Sequence, residues 1–87
     1  MIKNYCLIRE HIDNVCKNLT HEYEEANTAE RVNRLIELTN IHLNSFVTLI
    51  ENYSKRCWLD DIEHRALCDY IREKALDLSQ ELNDITL

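Results

Sequence analysis

Asp61, His64 and Cys68 follow one another at steps of three and four, and Cys57 stands four residues before the first of them. On a helix this spacing stacks the three side chains on one face, and a turn after Cys57 would bring its thiol close. Thiolate, imidazole and carboxylate are the donors that zinc takes in a tetrahedral set. The pattern stops short of a zinc signature, because there is no C-x-x-C pair and Cys57 to His64 is not a finger spacing. A carboxylate-bridged di-iron site would want Glu-x-x-His on two facing helices, and only Asp61-x-x-His64 is present. Cysteine catalysis needs a thiol beside an activating histidine. The four cysteines (Cys6, Cys16, Cys57, Cys68) and four histidines allow many pairs and single out none. His42 lies on the line Leu35–His42–Leu49–Arg56, bordering an apolar seam, and reads as a partly buried imidazole with a backbone or carboxylate partner. The chain has no glycine, so no glycine-rich loop can cradle phosphates. The expectation is no catalytic set, no cofactor and no metal, with Cys57, Asp61, His64 and Cys68 as the residues to inspect.

The elements that would carry these groups are helices. Neither glycine nor proline occurs in 87 residues, which removes the usual residues of tight turns and the commonest helix breakers. Residues 4–26 carry the seam Tyr5, Ile8, Ile12, Val15, Leu19, Tyr23, mostly at steps of three and four. Residues 28–57 carry a stricter one: Val32, Ile36, Thr39, Leu43, Phe46, Ile50, Tyr53 and Cys57 alternate steps of four and three. A third helix starts at Asp60–Asp61–Ile62–Glu63, a capping box, and runs to about Thr86 with Leu67, Ile71, Ala75, Leu78, Leu82 and Ile85 as its seam. The first break has two candidates. Asn27 as N-cap with Glu30 completing a capping box is preferred over a break at Thr20, because the first seam continues to Tyr23. Asp13–Lys17, Glu30–Arg34 and Glu51–Lys55 are acid-first pairs four residues apart that favour helix. Residues 1–87 thus read as one all-α domain. It is either an antiparallel three-helix bundle or a long helical hairpin with an N-terminal helix packed on it.

Sixteen acidic and ten basic residues leave a formal charge of −6, which argues against a dedicated duplex-DNA binder and suits a partner with a basic surface. Nucleic acid stays open only through a local basic face, and the basic residues are scattered among acids. No apolar run approaches the ~20 residues of a membrane span, and Met1–Cys6 shows no uninterrupted apolar core of a signal peptide. A cytoplasmic protein with reduced thiols is the expectation.

Two short segments resemble known families. Leu59-Asp60-Asp61-Ile62-Glu63, followed by Leu67-Cys68-Asp69 and Leu78, looks like the second helix of the Rop family of plasmid copy-control proteins, over about a quarter of the chain. That resemblance implies an acidic helical hairpin that dimerises into a four-helix bundle and binds paired RNA loops. No RNA-binding residue carries over, since the family's first helix does not align without gaps. Ser79-Gln80-Glu81-Leu82-Asn83 is similar to the SQELD signature of small sporulation phosphatases, with Asn83 in the last place and the motif at the end of the chain.

The function expected from these readings is non-enzymatic: a small regulator, adaptor or inhibitor acting through protein contacts of a helical surface. A Rop-like nucleic-acid-linked regulator and a metal- or thiol-dependent sensor are the alternatives. Beside its heptad line the second helix carries Leu35, Leu38, Ile41, Val47 and Leu49, and the third carries Ile62, Tyr70 and Leu76. This surplus points to a homodimer. Leu35, Leu38, Ile41, Leu49, Ile62, Tyr70 and Leu76 are the expected self-association or partner surface.

Overall fold

A computed structural model describes residues 2–85. Three helices, α1 (Ile2–Glu25), α2 (Ala29–Lys55) and α3 (Asp61–Asn83), run up, down and up. Every pair of helices is in contact, in a body of 45 × 16 × 16 Å. The all-α bundle anticipated from the seams is the fold. Thr86, the expected end of α3, lies outside the described residues.

The core is one apolar column: Ile8, Ile12, Cys16, Leu19 and Tyr23 of α1, Leu35, Phe46 and Ile50 of α2, and Leu67, Ile71 and Leu78 of α3. Seams on α1 and α3 face inward as their spacing requires. On α2 the heptad positions Thr39, Phe46 and Ile50 are buried, and Leu35 joins them from outside the heptad line. Ile36 is exposed, Leu43 is half-buried and Cys57 is exposed. The reason is geometric. A strict heptad line drifts by about 20° per repeat on a straight helix, so about two and a half repeats upstream of Tyr53 it has rotated off the core axis and Leu35 replaces Ile36.

The first connection differs by one residue from the expected box. Thr28, extended at φ −135° and ψ 151°, is the N-cap of α2, and its Oγ1 accepts from the Arg31 N–H at 3.1 Å. Arg31, not Glu30, therefore holds the third helical position, and its guanidinium crosses the turn to pair with Glu22 instead of returning to the cap. A break at Thr20 is excluded, since α1 continues to Glu25. Of the expected i,i+4 ion pairs, none of Asp13–Lys17, Glu30–Arg34 and Glu51–Lys55 closes to within 4 Å.

The second connection is tighter. The Trp58 N–H donates to the Tyr53 carbonyl at 2.9 Å and the Cys57 N–H to the Ser54 carbonyl at 3.0 Å, the two bonds of a Schellman motif. Such a motif needs a left-handed residue, ordinarily glycine. In this glycine-free chain Cys57 takes the position, at φ 59°. The Tyr53 and Trp58 rings meet edge to face at 5.2 Å and close the motif with an apolar contact. Leu59 then turns into the core, and Asp60 and Glu63 form the expected reciprocal capping box at 2.7 and 3.0 Å. Asn4 of α1 donates to the Trp58 carbonyl at 3.1 Å, tying the start of α1 to this corner.

Candidate interaction surface

One cluster of polar groups brought together by the fold lies between α1 and α3. The Tyr70 hydroxyl donates to Asp13 Oδ1, the Arg9 guanidinium lies 4.3 Å from the centre of the Tyr70 ring, and the Lys74 ammonium lies 5.3 Å from it. Arg9 also donates to Tyr5 Oη at 3.0 Å. Burial, helped by the hydrogen bond to Asp13, pushes the Tyr70 phenol up. The hydrogen bonds to Tyr5 and Tyr70 hold the Arg9 guanidinium even more firmly protonated than usual. Burial alone would lower Lys74, but Tyr70, Asp13 and Cys16 together raise it. The Cys16 thiol, at the floor of the adjoining groove of about 490 Å³, is pushed up chiefly by burial. A thiol raised in this way is the opposite of an activated nucleophile. These shifts keep the Tyr70 phenol and the Cys16 thiol protonated and neutral and Arg9 and Lys74 charged, and the cluster acts as a cation–π and hydrogen-bond strap between two helices.

Sequence reasoning missed this strap: it placed Tyr70 on the outer surface and paired Asp13 with Lys17. Tyr70 is half-buried. A signal was present, because Tyr70 stands three residues after Leu67 and one before Ile71, on the edge of the buried face.

Among the described residues, no group of three or more histidine, cysteine, aspartate or glutamate side chains is gathered for a metal ion. Asp61, His64 and Cys68 do share a helix face, His64 and Cys68 half-buried and Asp61 exposed, but Cys57 sits exposed in its left-handed position. Of the four thiols, Cys16 is buried, Cys68 half-buried, and Cys6 and Cys57 exposed, all free. His42 is half-buried with its ring stacked on Phe46 at 6.5 Å, and His11 meets the same ring edge-on at 5.8 Å.

The seven expected surface residues divide. Leu35 is 0% exposed and belongs to the core; the drift of the heptad line, which moves Ile36 outward, moves Leu35 inward. Leu49 is half-buried, and Tyr70 belongs to the strap. The other four stand out: Leu38 at 38%, Ile41 at 63%, Ile62 at 81% and Leu76 at 72% exposed. Ile36 and Val47, outside that set, are each 41% exposed. On α1 Leu7 is 52% exposed, and the other exposed aliphatic side chains fall on the outer faces of α2 and α3. No helix among the described residues is long and apolar enough to cross a membrane. Comparison of the chain with protein-family models, with curated proteins and with solved structures finds no match.

Proposed function

We propose that this protein is a non-enzymatic interaction module, working in the cytoplasm, that acts through the outer helical faces of its bundle and associates with itself. The observation that carries the reading is the exposure of Ile41, Ile62 and Leu76, each more than 60% open to solvent on the outer face of its helix. An aliphatic side chain held in water at such a position adds nothing to the monomer's stability and gains about 25 cal/mol for each Å² that a partner covers. Elongated bundles have much surface for their volume, so pairing of copies is the simplest way to cover it. Its acidic balance further suits a basic partner, with an association rate that falls as salt is raised.

Light scattering across a concentration series tests self-association. A mass above the 10.4 kDa of one chain is expected at micromolar concentration. Replacing Ile41 with aspartate should return the protein to monomer with its helical circular dichroism unchanged. A monomer at high micromolar concentration would defeat self-association.

A further inference from the structure

The outermost line of α2, opposite the buried Leu35, Thr39, Phe46 and Ile50, is a second heptad stripe. It begins with Glu30, Arg34 and Glu37, passes through Ile41, Asn44 and Thr48, and ends with Glu51 and Lys55. All eight residues are exposed, at alternating steps of four and three. Its charged side chains are unpartnered: none of Glu30, Arg34, Glu37, Glu51 and Lys55 makes an ion pair or side-chain hydrogen bond among the described residues. Its middle is neutral. From Leu38 to Ile50 there is no acidic or basic residue apart from His42, in a chain that is 30% charged.

We infer that this stripe is a self-complementary dimer face on which α2 of one copy packs antiparallel against α2 of a second. The inference rests on the self-association proposed above and assigns it a surface and a register. Read in opposite directions, the stripe matches itself. With Ile41 of one copy facing Asn44 of the other, Glu30 meets the second copy's Lys55 and Arg34 meets its Glu51. The two-fold axis repeats each pair, so four of the eight positions face an opposite charge and none faces a like one. On the flanks of the central pair, Leu38 of both copies lies on one side of the seam and Val47 of both on the other. Six aliphatic side chains, three from each copy, then gather around the axis with ion pairs outside them, the usual division of an interface into apolar centre and polar rim. A parallel in-register pair would instead set each of the five charges against itself, and is disfavoured. The neutral middle of α2 is also a place where two bodies of charge −6 can approach without repulsion.

The test uses the natural chain and two charge variants. A zero-length carbodiimide cross-link, mapped by mass spectrometry, should join Glu30 to Lys55. These residues lie at opposite ends of one helix, about 37 Å apart at 1.5 Å per residue, so the link can form only between copies. Arg34→Glu should weaken the dimer roughly tenfold, since two attractive contacts become repulsive, and adding Glu51→Arg should restore it. A dimer that lacks the cross-link and ignores Arg34→Glu would overturn this interface and leave self-association standing. A monomer at every concentration would remove both.

Discussion

Cys16 and Thr39 show how burial sets the behaviour of single side chains here. The thiolate is the reactive form of cysteine, and burial pushes the Cys16 thiol up while Cys6 and Cys57 stand in solvent. A thiol reagent applied to the folded protein should modify Cys6 and Cys57 first, Cys68 more slowly, and Cys16 only as the molecule opens. Equal rates at all four would show that the core is not closed over α1. Thr39 is the one buried polar residue among the described ones, and its Oγ1 donates to the Leu35 carbonyl at 2.7 Å. Tyr23 must therefore be the donor in its own bond to Thr39. Thr39→Val would strand a buried phenol and should cost about 1–3 kcal/mol, whereas Tyr23→Phe leaves Thr39 bonded and should cost about 1 kcal/mol or less. Urea titration of both variants checks the order, and a larger loss for Tyr23→Phe would reverse the assignment of donor and acceptor.

At the level of elements, the corner between α2 and α3 is well built except for one residue. A left-handed conformation costs a residue with a Cβ about 1–2 kcal/mol, and Cys57 bears that cost. Cys57→Gly relieves it, less the extra freedom glycine gives the unfolded chain, and should stabilise the protein by about 0.5–1 kcal/mol. An unchanged or lower melting temperature would show that the cysteine side chain contributes more than its strain removes. The same corner shows what a sequence of this kind makes legible. Asp60 and Glu63 at capping-box spacing, with apolar steps of three and four on either side, are local signals, and the helices they delimit are where they point. The strap between Asp13 and Tyr70 spans 57 positions, and no local pattern encodes it. Leu35 was misplaced for an intermediate reason: which of two adjacent apolar residues faces inward depends on how straight the helix is, and that is decided by packing. The exposed positions Leu38, Ile41, Ile62 and Leu76 were legible because they fall outside every seam.

For the whole molecule, two consequences concern pH and time. Burial raises Cys16, Tyr23 and Tyr70 above their ordinary values. Each therefore keeps its proton in the folded state to a higher pH than in the unfolded chain. Their contribution is present in full below about pH 9 and is lost as pH rises through the folded values, because the unfolded chain then binds fewer protons. The urea midpoint should fall between pH 7.5 and pH 10.5, and a constant midpoint would mean these groups are no less solvated when folded. The corner bears on the order of events. Its hydrogen bonds join residues no more than five positions apart, so α2 and α3 can close on each other as soon as both exist. The core residues of α1 pack only against those two, and its Asn4 is held by the Trp58 carbonyl of the finished corner. Pulsed amide exchange during refolding should find α2 and α3 protected before α1, and simultaneous protection of all three would contradict that order. During synthesis the sequence of events is inverted. On that order α1, made before the two helices it needs, is the last of the three to find its place, and its apolar face stays uncovered until α2 and α3 have closed on each other.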